Sequence, residues 1–69
     1  MYAVIQPNYA IFGVGDTVEA AWADAEEWAE NFDGLDAVPC TQRLFDAVKQ
    51  LGGQIEWEIV DGVADLPSK

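Results

Sequence analysis

The apolar and polar positions of this chain change period several times, and each change marks an element. Residues 2–6, YAVIQ, join aromatic and β-branched residues without a breaker and predict a strand. Pro7-Asn8 has the chemistry of a turn. Residues 9–14, YAIFGV, predict a second strand returning antiparallel to the first, with Ile11 on one face and Phe12 and Val14 on the other. Gly13 inside that strand marks a bulge or a close backbone approach.

Residues 16–33, DTVEAAWADAEEWAENFD, change to helical spacing. At about 100° per residue, Val18, Ala21, Trp22, Ala25, Trp28, Ala29 and Phe32 share one side. Glu19, Glu26, Glu27 and Glu30 lie opposite, Asp24 lies on a flank, and Asp16 and Asp33 stand at the ends. Asp16 with Glu19 has the form of a capping box. Gly34 and Pro39 end the element and occupy a connection over 33–40. Thr41 then caps a second helix over 42–51, with Leu44, Phe45, Val48 and Leu51 as its apolar set. Gly52-Gly53 stops it. Residues 54–60 alternate, with Ile55, Trp57 and Ile59 inward and Glu56 and Glu58 outward. Asp61-Gly62 predicts a tight hairpin to a short strand at about 63–66, before a frayed Pro67-Ser68-Lys69 end.

The expected fold is therefore a single α+β domain of order ββααββ, an antiparallel sheet with both helices on one face. Its core would hold Val4, Phe12, Val18, Trp22, Ala25, Phe32, Leu44, Val48, Ile55, Trp57 and Ile59, with alanines letting the long helix lie close to the sheet.

Charge changes the picture. Thirteen acids face three bases, for a formal charge of −10 on 69 residues. That imbalance adds self-repulsion to the fold and steers the chain toward basic surfaces. It disfavours direct contact with nucleic acid or an anionic membrane, both of which need Lys and Arg. No apolar run approaches the length of a membrane span. The first residues have no basic, secretory-type pattern, and the single Cys40 excludes an internal disulfide framework, so a reducing, cytoplasmic setting is expected.

Candidate chemistry is sparse. The chain has no histidine, which removes the commonest metal ligand and any Ser-His-Asp or Cys-His pair. Cys40 reads as a buried residue at a helix entry. Glu26-Glu27 and Glu56/Glu58 lie on predicted solvent faces, without the desolvation that raises a catalytic carboxyl. No enzyme activity, metal or cofactor is expected. Trp22 belongs to the core stripe, whereas Trp28 lies at its edge and could anchor a partner.

The acids of residues 16–33 are the remaining signal. Seven of them span seventeen steps, about 25 Å of helix. One charge per roughly 4 Å approaches the spacing of phosphates along a DNA strand. Acids near the C-terminal end also oppose the helix dipole, at about 0.3–1 kcal/mol each.

With that acidic helix and the outward Glu56 and Glu58, the chain resembles the small acidic inhibitor proteins of phages and other mobile elements, among them anti-CRISPR proteins and other DNA mimics. The resemblance covers size, charge and compactness. It implies a non-enzymatic inhibitor that fills a basic, nucleic-acid-binding surface of a protein complex. Glu19, Asp24, Glu26, Glu27 and Glu30 would stand in for phosphates, with Asp33 and Trp28 beside them. Arg43 and Lys49 imply that only one side binds. The alternative is a protein–protein adaptor that uses an apolar patch around Trp28 and Tyr9. The oligomeric state is left open.

Overall fold

A computed structural model of the chain describes every residue except Asn8, Glu30, Phe32, Ser68 and Lys69. The expected turn at Asn8, the acid at Glu30, the core place of Phe32 and the frayed last two residues thus lie outside the described residues.

The first strand, β1 (Tyr2–Gln6), is central, with Ala3, Val4 and Ile5 all buried. Three consecutive buried side chains on a strand require cover on both faces, because neighbours point opposite ways. β2 (Ala10–Gly15) pairs antiparallel with one edge of β1, and β3 (Asp36–Pro39) pairs antiparallel with the other, giving the order β2-β1-β3. The register of β1 with β2 slips where Val4 faces Gly13 and Ile5 faces Ile11, leaving Phe12 as the extra residue of a bulge. The bulge turns Val14 to the same face as Ile11, correcting the simple alternation expected for this strand.

The two helices cover opposite faces. On one side, α1 (Val18–Ala25) sets Ala21 and Ala25 against Val4, with Tyr2, Phe12, Trp22, Leu35 and Ala37 packed around them. On the other, α2 (Gln42–Leu51) brings Leu44 onto Ala3, Ile5, Ile11 and Val14. Ala64 joins that second cluster from β5 (Val63–Asp65), which pairs antiparallel with β4 (Glu58–Val60) in a separate two-stranded sheet. The class is α+β and the sheets are antiparallel, as expected. The order is ββαβαββ rather than ββααββ, and the helices do not share a face. Placing both on one side would leave one face of Ala3-Val4-Ile5 in water.

The approach of α1 to β2 is unusually close. A Cβ on Gly13 would collide with the Ala25 backbone nitrogen, and one on Gly15 with that of Ala21. Small residues on both elements let the backbones meet. Gly13 thus marks a close approach, beside the bulge at Phe12.

The long helix expected over 16–33 is eight residues long. Thr17, not Asp16, is its N-cap, and its hydroxyl accepts from Ala20 N–H at 3.0 Å. After Ala25 the hydrogen bonds shift toward three-residue closure, Glu27 to Asp24 and Trp28 to Ala25. The last turn holds no basic residue, and Glu26-Glu27 place negative charge where the dipole is already negative. Val18, expected in the core, is exposed in the first turn. β3 arises inside the expected connection because β1 has a second edge to satisfy. Its Asp36 and Pro39 are residues suited to a sheet edge.

The second helix runs over the expected residues, capped by Thr41, whose hydroxyl accepts from Leu44 N–H at 3.3 Å. Past it, only Glu58–Val60 of the expected 54–60 strand pairs. Ile55 and Trp57 still pack half-buried on the Leu44 cluster, but Ile59 is exposed rather than inward. Asp61 and Gly62 both take positive φ, 54° and 78°, as the mirror-image hairpin turn requires.

Candidate functional site

The acids of the 16–33 segment do not form one rod. Eight helical residues span about 12 Å, and within them lie only Glu19 and Asp24. Asp16 and Glu19 are exposed at the start of α1, and Glu26 and Glu27 are exposed on the turn that follows it. Asp33 is exposed further along, where its N–H donates to the Asn31 side chain at 2.7 Å. Glu30 is outside the described residues. Asp24 turns inward: its carboxylate accepts from Val14 N–H at 3.0 Å, on the outer edge of β2. It is part of the fold's own hydrogen bonding as well as of its charge. Among the described residues no three Cys, Asp or Glu side chains gather as a metal ion would need.

The protein's own cations offset little of this charge. Among the described residues there is one ion pair, Arg43 Nε to Asp65 Oδ1 at 2.7 Å. The second guanidinium nitrogen reaches Asp65 Oδ2 at 3.2 Å, making the pair two-pronged. Thr41 Oγ1–H donates to the same carboxylate at 2.7 Å, as does Leu66 N–H. The Arg43 contact first, and then that of Thr41, holds the Asp65 carboxyl down at about 2. Arg43 is correspondingly pushed up by Asp65. Lys49 sits over the Phe45 ring of its own helix, 5.7 Å from the centroid. Sequence reasoning missed Asp65, because its partners Thr41 and Arg43 lie more than twenty residues away.

Two grooves open on the surface. One, of about 450 Å³, lies between the end of α1 and the end of α2, with Phe12, Ile11 and Val48 among its lining residues and Trp28 and Lys49 also present. Trp28 is 73% exposed, so it stands at this groove without being packed into the core. The other, of about 730 Å³, runs beside residues 54–59 and includes Tyr9 and Trp57. Gly53 holds this segment against β2: its carbonyl accepts from Ile11 N–H at 3.2 Å. A Cβ at Gly53 would overlap the Ile11 carbonyl.

Comparison with protein-family models, curated proteins and solved structures gives no match. The functional reading rests on the chain's own chemistry.

Cys40 is buried, with its N–H donating to the Met1 carbonyl at 2.9 Å. Burial pushes its thiol up, partly countered by the N-terminal ammonium, the opposite of what a nucleophilic thiolate needs. Among the described residues no helix is long and apolar enough to cross a membrane.

Proposed function

We propose that this chain is a non-enzymatic inhibitor that occupies a basic, nucleic-acid-binding surface of a protein partner, its carboxylates taking the place of phosphates. One observation carries the reading. Thirteen acids face three bases, and the described residues include a single ion pair, so the exposed acids meet almost no cation of their own. Asp16, Glu19, Glu26, Glu27 and Asp33 lie before, within and after α1, and Asp36, Glu56 and Asp61 elsewhere, all of them exposed. A cationic partner would remove the repulsion among them and gain steering at the same time. The phosphates are imitated by a dispersed array around α1 and its following turn, not by a straight helical row.

The test is competition. Nucleic-acid-binding proteins captured on the immobilised chain should leave it along a salt gradient, and free duplex DNA should displace them at constant salt. The triple variant E19K/E26K/E27K should capture none of them. Capture that ignores both salt and DNA, or a triple variant that captures normally, removes the reading.

A second reading is favoured by Trp28. A tryptophan 73% exposed beside a groove that Ile11, Phe12 and Val48 line together with Asp24 and Lys49 has the character of a binding anchor. An adaptor working through it would lose its partner on Trp28→Ala while remaining insensitive to salt.

A further inference from the structure

The larger groove has a lining that the charge reading does not use. Tyr9 forms part of it and is 68% exposed. Trp57, Ile55 and Ile59 also line it, with Trp57 half-buried so that one part of the indole packs on the core. Pro7 lies near Tyr9 in the chain, and the groove, of about 730 Å³, is open to solvent. Among the described residues its lining holds two acids, Glu56 and Glu58, and no Lys or Arg. Arg43, whose positive charge Glu58 favours, is already held by Asp65.

We propose that this groove docks an extended, proline-containing segment of the partner that carries Lys or Arg beside its prolines. The proposal rests on the reading that the partner is cationic and names one surface of contact with it. An open trough whose lining includes the exposed Tyr9 and the half-buried Trp57 suits a polyproline II segment, which is preformed and therefore loses little entropy on binding. Its prolines would lie on the faces of Tyr9 and Trp57. The carboxylates of Glu56 and Glu58 would then meet a guanidinium or ammonium, and both signs of charge would be satisfied at the rim. A phosphate backbone would meet the two acids Glu56 and Glu58.

The experiment uses the full chain and three synthetic ten-residue peptides: one with alternating prolines and two arginines, the same peptide with glutamates for the arginines, and the same with alanines for the prolines. Binding is followed by calorimetry and by amide and indole NMR shifts. The arginine–proline peptide should bind saturably, with shifts at Tyr9 and Trp57, while the other two bind at least tenfold more weakly. Tyr9→Ala and Glu56→Lys, both at exposed positions outside the core, should each weaken it about tenfold with unchanged amide dispersion elsewhere. Absence of saturable binding, equal binding of the alanine peptide, or shifts confined to α1 would overturn the proposal. If the peptide fails while DNA-competed capture persists, only the groove assignment falls. If both fail, the charge reading falls with it.

Discussion

The Asp24 carboxylate accepts from the backbone N–H of Val14 at 3.0 Å, tying α1 to the outer edge of β2. An acid that the resemblance to DNA mimics would make a phosphate stand-in is therefore a structural acceptor. Asp24→Ala leaves that N–H unpartnered. The loss should be about 1.5–3 kcal/mol, read as a melting temperature lower by roughly 4–8 °C per kcal/mol. Glu19→Gln, at an exposed site with no such contact, should stay within about 0.5 kcal/mol of the parent. Equal melting temperatures for the two variants would show that the Asp24 contact contributes nothing.

Gly13 sits where α1 and β2 backbones meet. Gly13→Ala inserts a methyl against the Ala25 backbone nitrogen, an overpacking of a kind that costs about 1–3 kcal/mol. The urea midpoint should fall with an unchanged slope, since the surface exposed on unfolding is the same. An unchanged midpoint would mean that the helix can move away freely.

Asp65 gives the fold a defined acid response. Its carboxyl is held at about 2, below its ordinary value of 3.8, first by Arg43 and then by Thr41. A lowered folded value means that its contribution is complete above about 3.8 and is lost as pH falls toward about 2. Asp65→Asn should flatten that part of a stability-against-pH curve. A variant whose curve between those values overlays the parent would refute the assignment.

Glu26 and Glu27 follow the last residue of α1, and the last turn carries no base. Glu26→Lys should therefore stabilise the helix end by about 0.3–1 kcal/mol and increase the helical signal in circular dichroism. Under the proposed function the same variant binds its basic partner less well. Stability and binding moving in opposite directions is the expected signature of acids kept for a partner. A drop in both would point to a structural role for Glu26.

The elements with clear local chemistry could be read from the chain. Thr41 and Gly52 bracket α2, Asp61-Gly62 turns the last hairpin, and Tyr2–Gln6 contains no breaker. The unbroken Ala3-Val4-Ile5 run also carried a signal for two covered faces, which the expectation of one helical layer overlooked. Other features depend on distant partners. β3 exists because β1 has a free edge, and Asp36-Ala37-Val38-Pro39 has little strand character alone. The end of α1 was hidden by a helical period that continues through Trp28, although Trp28 is exposed once the turn tightens. Of the site, the identities of the acids were legible. The inward turn of Asp24 and the groove joining Tyr9 to Trp57 depend on contacts between segments far apart in sequence.

The two sheets end differently. β2 has outward N–H groups occupied by the Asp24 carboxylate and the Gly53 carbonyl. Among the described residues β4 pairs only with β5, and its Ile59 and Val60 are 45% and 50% exposed. Such a border, though only three residues long, can take a like strand from a second molecule. Mutual repulsion between copies carrying −10 each insulates it near neutrality. Protonation toward the isoelectric point of about 4.1 strips that insulation away, so turbidity should rise there, beginning at the small hairpin.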